Sequence, residues 1–462
     1  MRDLGFVGFL GALLLLGLKR PFIFVLGYIY IDIVSPQRLS YYLLNSIPVS
    51  LVMFALAIVG WAATDRKTDM RIAPRQILLF IFLCYCGLTT YYLAAFQVEA
   101  FDKWDWAWKS MIFAIFLPLT LRTKLRIEMV LMFMALALSA IVIGAGMKTV
   151  FGGSGYGSFA MMVDDNSGLY EDSTLTTAAI MMIPIILWFT KFGTVFKPDW
   201  KVSLFCYAII FACLLTPIGT QARTGLVCIA FLAILMLRDV KRKGVYIAGA
   251  AVLGLVSLPL LPSAFSERMG TIATFQADES ASTRIAVWRW TFEFVQEHPL
   301  GGGFDAYREN AVAYYTTERV EGSATNGVNR RFIVDRGRAY HSSYFEVLGE
   351  QGWIGLALWL LIQGIGIIRM EAIRRRYRGD RAPEGQQWVA PLATALQHSQ
   401  LTYLLGMLFV GLAYQPIFLM ILSVQMGLDT YLTRLRKGDG WKPLKEQAEP
   451  PGAQPLAPGA QI

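Results

Sequence analysis

From Leu4 to Tyr431 the chain is a succession of apolar runs separated by short polar segments. Runs of this kind cross about 30 Å of hydrocarbon as helices, and no series of strands alternates as a β-barrel would. The pattern predicts an all-α polytopic membrane protein of about 12 to 13 transmembrane helices. The first run, Leu4 to Leu18, is short and lacks a cleavage pattern before Lys19, so it reads as a span or a re-entrant half-helix. Another, Leu401 to Tyr431, breaks at Gln415 and Pro416 into two short spans joined by a turn. The expected organisation is N-terminal transmembrane helices over 1–262, a large outer loop containing short helices over 263–343, C-terminal transmembrane helices over 344–436, and a disordered cytoplasmic tail over 437–462. From Glu446 that tail is rich in Pro, Gly, Ala and Gln and has little to bury.

Composition agrees. Of 462 residues 55% are apolar and 16% charged, with a mean hydropathy of +0.47; a soluble domain carries about a quarter charged. The net charge of +9 does not point to nucleic acid, because the excess lies in short loops. Basic clusters at Lys19–Arg20, Arg66–Arg75, Arg122–Arg126, Lys191–Lys201, Arg238–Lys243, Arg374–Arg381 and Arg434–Lys445 are separated by about two spans each, which places them all on the cytoplasmic face. The opposite face then receives Ser35–Tyr42, Gln97–Lys109, Lys148–Ser173, Thr220 and Ser263–Ser343. Five cysteines, all inside apolar segments, argue for buried thiols rather than disulfides or a Cys-based metal site. His298, His341 and His398 are too scattered for a His cluster, and no metal site is expected.

Chemistry has room in the outer loop Ser263–Ser343, which carries nine Arg, no Lys and ten acidic residues. Guanidinium forks suit bidentate phosphate recognition, although on a solvated surface they would simply balance the carboxylates. Ser282–Glu297 (STRIAVWRWTFEFVQE) reads as an amphipathic helix with Ile285, Trp288, Phe292 and Val295 on the face that packs on the membrane core or its lipid. Arg284 borders that face. Arg289 lies beyond the other edge and should pair with Glu293.

The turn PLGGGF, with Gly303, allows close backbone approach and could cradle phosphate, but no strand precedes it as in a Walker motif. His341, in RGRAYHSSY at the outer mouth of a span running Phe345 to Ile368, is either a proton acceptor or an interfacial histidine bonded to backbone. Arg223, in TPIGTQARTGLV, either snorkels or faces a polar cavity. Arg338, Tyr344 and Gly303 are the candidate substrate contacts. Asp164, Asp165, Glu171 and Asp172 of MVDDNSGLYEDS are partners for the arginines, orienters for a sugar, or simply a solvated loop. His298 looks structural, and His398 falls near a cytoplasmic boundary.

QARTGLV at the start of a span, then STRIAVWRW, PLGGGFDAY and AYHSSYFEVLGEQGWIGL, resembles the O-antigen ligase superfamily from Met1 to about Arg436. The opening MRDLGFVGFLGALLLLGLKRPFIFVLGYIY is similar to the O-glycosylation ligases of the exosortase A system. The resemblance implies a GT-C glycosyltransferase of the bacterial inner membrane, which moves a glycan from undecaprenyl pyrophosphate to an acceptor hydroxyl of protein or lipid at the periplasmic face. It uses no cofactor or nucleotide sugar; its partners are the lipid-linked donor, the acceptor and membrane lipid. Arg223 and Arg284 would hold the pyrophosphate and His341 would be the base. Family members more often carry Asn where this chain has Ser342, and DDNSGLYEDS departs from the pattern, both bearing on the acceptor. The nearest competing reading is a glycan polymerase of the same superfamily. A transporter of lipid-linked sugars would show internal repeats and midplane charges on both halves, and neither is seen.

Overall fold

The protein is described here by a computed structural model, which describes residues 2–40, 42–44, 46–65, 67, 70–151, 168–220, 222–245, 247–249, 279–319 and 328–438. Asp164 and Asp165, the first part of the outer loop through residue 278, most of the apolar run after Lys243, and the tail from 439 lie outside the described residues.

The apolar runs fold as helices: α1 (Arg2–Lys19), α2 (Phe22–Val34), α3 (Val49–Thr64), α4 (Pro74–Leu93), α5 (Gln97–Thr120), α6 (Lys124–Phe151), α7 (Asp172–Phe192), α8 (Trp200–Gly219) and α9 (Arg223–Met236). After the outer-loop helix α10 (Glu279–Glu297) and a hairpin of β1 (Ala311–Arg319) and β2 (Val328–Arg336) come α11 (Ser343–Arg376), α12 (Val389–Gly406) and α13 (Pro416–Gly438). Among the described residues six helices, α4, α6, α7, α8, α11 and α13, are long and apolar enough to cross a membrane, and α2, α3 and α9 are shorter apolar helices. The chain is an all-α polytopic membrane protein whose described strands form one antiparallel hairpin, pairing Ala311 with Arg336 through Arg319 with Val328.

Helices that are apolar all round must be buried in protein or lipid. Two are buried in protein: α7, whose residues Thr174 to Ile186 are covered continuously, and α13, covered from Pro416 to Leu428. Around α7 pack α8, α9 and α12, while α13 packs on α5, α11 and α12. Pro416 starts α13, as the break at Gln415 and Pro416 implied. Of the cysteines, four are buried; Cys84 is exposed on the outside of α4, contrary to the expectation that all five thiols are buried.

One end of the bundle gathers the basic segments. Arg126 forks onto Asp65, Lys124 donates to Phe192 O at 3.3 Å, Arg434 donates to Leu121 O at 2.8 Å, and Arg238 meets Glu371 at 3.5 Å. Arg75 is the exception among the basic loop residues. It is 3% exposed and donates to Gln425 Oε1 at 2.9 Å, the first link of a buried chain through Gln400 to Gln363. His398 also departs from expectation, being buried mid-way along α12 rather than at a boundary.

The long helix α11 is broken at Gly352, where φ is 62° and ψ −165°. A broken helix strands carbonyls and an N–H that must find other partners. The PLGGGF turn supplies them: Gly302 N–H donates to Gly349 O at 3.0 Å, Gly303 N–H to Glu350 O at 2.9 Å, and Pro299 O accepts from Trp353 N–H at 3.1 Å. The two backbones meet so closely that a Cβ on Gly301 would stand 2.5 Å from Glu350 O, and one on Gly352 2.2 Å from Pro299 O. The glycines of the outer loop are therefore a backbone graft into a helix break.

Candidate active site

The graft fixes the loop, and the residues around it fix a histidine. Tyr340 is buried, and its carbonyl accepts from Trp288 Nε1 at 2.9 Å. Trp288 in turn stacks on Phe345 at 4.8 Å, so α10, the end of the loop and the start of α11 are clamped together. Ser342 and Ser343 are buried next to them, Ser343 N–H donating to Met407 O at 2.8 Å and its hydroxyl to Val410 O at 2.9 Å. Between Tyr340 and Ser342 the chain must reverse, and His341 adopts the left-handed conformation at φ 47°. For a non-glycine residue this is a strained choice held by its surroundings. The result is an exposed imidazole between two anchored neighbours.

The outer-loop helix ends at Glu297 before Pro299, as expected, but begins at Glu279 rather than at Ser282. Its core-facing stripe differs. Thr283, Val287, Thr291, Phe294 and Val295 are buried, whereas Ile285 is 57% and Phe292 44% exposed, beside the exposed Trp353. The helix thus has a protein face, an outward apolar face and a polar face, on which Arg289 pairs with Glu293 at 3.3 Å. Arg284 lies within the protein face, between Thr291 and Val295 on the wheel, and is half-buried. Its charge acts on His341.

Arg338 is set by Asn310, which is 1% exposed: its side-chain oxygen accepts Arg338 N–H at 2.9 Å and its amide donates to Arg338 O at 2.7 Å. The Arg338 guanidinium meets Asp335 at 3.3 Å and also acts on His341. A third charge comes from Glu171, the N-cap of α7, whose carboxylate accepts Thr174 N–H at 2.6 Å. His341 is pulled below the ordinary histidine value of 6.5, first by loss of hydration against the surrounding protein, then by Arg284 and Arg338, with Glu171 opposing.

Arg223 opens α9, half-buried. Gly225, two residues on, packs on Thr176 of α7 so closely that a Cβ there would stand 2.0 Å from the Thr176 methyl. Thr176 Oγ1 also pairs with Thr220 Oγ1 at 3.0 Å. Since Thr176 lies one turn and a half inside the helix that Glu171 caps, Arg223 belongs to the same end of the bundle as His341.

Two expected substrate contacts are otherwise engaged. Gly303 is buried with its N–H committed to Glu350 O, so it is a packing position against Thr89 and Ala94 rather than a phosphate cradle. Tyr344 donates its hydroxyl to Leu404 O at 3.1 Å and packs edge-on to Trp359. His298 stacks on Phe294 at the end of α10, a structural place. Asn310 and Lys103 carry no local sequence signal, yet both shape the site. Lys103, from α5, reaches Glu346 at 2.7 Å, Glu350 at 2.6 Å and Asp305 at 3.6 Å, joining the turn to α11.

Residues 208–360 match the O-antigen ligase family. That stretch contains Arg223, Arg284, Gly303, Arg338, His341 and Tyr344. Residues 1–194 match a family of unknown function, DUF5935. No curated protein matches the chain. The O-antigen ligase match, with membrane-spanning helices, supports a glycosyltransferase-type membrane enzyme that handles lipid-linked glycan.

Proposed function

We propose that the protein is a glycan ligase of the bacterial inner membrane, similar to the O-glycosylation ligases of the exosortase A system. It transfers an oligosaccharide or polysaccharide from undecaprenyl pyrophosphate to a hydroxyl of a protein or lipid acceptor at the periplasmic face. In this reading 1–262 and 344–436 hold the bundle in the membrane and 263–343 forms the periplasmic loop, with the basic end in the cytoplasm. The observation that carries the reading is the exposed, anchored His341 among cationic residues. An imidazole beside Arg284 and Arg338 is held in its neutral, proton-accepting form.

The acceptor oxygen attacks the anomeric carbon while its proton passes to His341. The bond from that carbon to the pyrophosphate oxygen breaks, and polyprenyl pyrophosphate leaves. Negative charge grows on the leaving group, where Arg223 and Arg284 would offer forked donors without a metal. Direct displacement inverts the anomeric centre, with no covalent enzyme intermediate. Deleting the gene tests the reading: undecaprenyl-linked glycan should accumulate while an acceptor loses its glycan. Loss of chain length with the acceptor still modified would instead identify a polymerase.

A further inference from the structure

We propose that a polar cavity between α2, α3 and α5 binds a single sugar ring of the glycan being transferred or of the acceptor; this rests on the glycan-transfer reading above. The cavity has a volume of about 250 Å³. Asp32 from the last turn of α2 and Gln37 just beyond it line it, and each carries a buried oxygen, Asp32 Oδ2 and Gln37 Oε1, with no hydrogen-bond partner. Buried acceptors without donors are costly, and a ligand bearing hydroxyl groups relieves both. Trp106 adds an aromatic face, and Ser50 and Ser110 add hydroxyls.

This is the chemistry of a sugar ring, whose hydroxyls donate to carboxylate and amide oxygens while its C–H face lies on an aromatic ring. A phosphate fits poorly. Asp32, Asp102 and Asp105 outnumber Arg38 and Lys109 in the lining, and Lys109 is already paired with Asp105 at 2.5 Å. A long oligosaccharide is also too large, since drug-sized ligands occupy about 300–1,000 Å³.

The cavity is linked to the His341 site through Glu171, whose charge acts on His341. Leu169 lines it, two residues from Glu171, on the order of 7 Å of chain. The same turn is tied to α2 by Tyr170, which donates to Val34 O at 2.6 Å. On another side the wall is Gln415, at the end of the segment whose Ala413 N–H reaches Glu346. Most of the lining lies in residues 1–194, so the cavity gives the N-terminal segment a recognition role beside the chemistry carried by 208–360.

The test uses the purified full chain in detergent and equilibrium dialysis with labelled glucose, galactose, mannose and N-acetylglucosamine. Wild type and His341→Ala should bind at least one of them saturably. Ser50→Phe, which fills the cavity, and Asp32→Asn, which changes no volume, should each weaken that binding at least tenfold. In transfer assays the same two variants should raise KM for the donor if the ring is the donor's, or for the acceptor if it is the acceptor's, with kcat little changed. Sugar binding and both KM values at wild-type level in Ser50→Phe and Asp32→Asn, with His341→Ala inactive, would overturn the cavity proposal and leave the transfer reading standing. No transfer by wild type, with sugar binding lost in Ser50→Phe and Asp32→Asn, would overturn the transfer reading and leave the cavity standing as a sugar site.

Discussion

Lys103 Nζ lies 2.6 Å from Glu350 Oε1, and that glutamate is wholly buried at the helix break into which the outer loop is grafted. The same ammonium holds Glu346 and Asp305, so one cation joins α5, α11 and the loop. Lys103→Met removes it and leaves adjoining carboxylates without a counter-charge. Stability should fall by about 3–5 kcal/mol, read as a lower Tm in detergent; an unchanged Tm would mean that the cluster contributes nothing to the fold.

Gly301→Ala tests the graft itself. The residue sits at φ 86° with no room for a Cβ, so alanine should cost about 1–3 kcal/mol and expose the loop to limited proteolysis. Gly364→Ala, on the long helix α11 that receives the graft and with open space at its Cβ, is the control and should be silent. Equal protease resistance in both variants would show that the close approach is dispensable.

The acid limb of the rate profile follows from the charges around His341. Its neutral form is the active one, and partial loss of hydration, Arg284 and Arg338 hold its pKa below 6.5, so activity should persist below that pH and fall only as the imidazole protonates. Arg338→Gln removes a depressing charge and should move the limb to higher pH. Glu171→Gln removes a raising charge and should move it lower, while keeping an N-cap acceptor for α7. A limb that stays in place in both variants would separate His341 from the titration.

Arginine geometry is separable from arginine charge. If Arg223 and Arg284 grip pyrophosphate through forked donors, Arg→Lys at either should reduce turnover sharply, whereas a snorkelling Arg223 would be replaced by lysine without loss. Arg289→Lys should be nearly silent, since Arg289 is exposed and paired with Glu293. Comparable turnover in the three variants, measured on lipid-linked glycan, would contradict the assignment.

What was legible in the sequence was whatever local periodicity and local breakers decide. The end of α10 before Pro299, the start of α13 at Pro416 and the Arg289–Glu293 pair all follow from residues within a few positions of one another. Tertiary partners decided the rest. The glycine turn looked like a phosphate cradle because nothing local reveals that Gly302 and Gly303 donate to a helix break about fifty residues away. Lys103 looked like one charge on an outer segment, although its partners come from residues more than two hundred positions later. The wheel placed Ile285 and Phe292 toward the membrane, but β1 and α11 select the adjacent stripe for the protein core, which puts Arg284 on the protein face.

The central claim, that His341 accepts the acceptor's proton, is tested most directly by single-enzyme transfer from purified undecaprenyl-pyrophosphate-linked glycan, comparing wild type with His341→Ala at matched amounts of folded protein. General-base catalysis contributes roughly 10²- to 10⁴-fold, so the variant should retain donor binding and Tm while turnover falls by that factor. Turnover by His341→Ala within a few-fold of wild type would contradict the account.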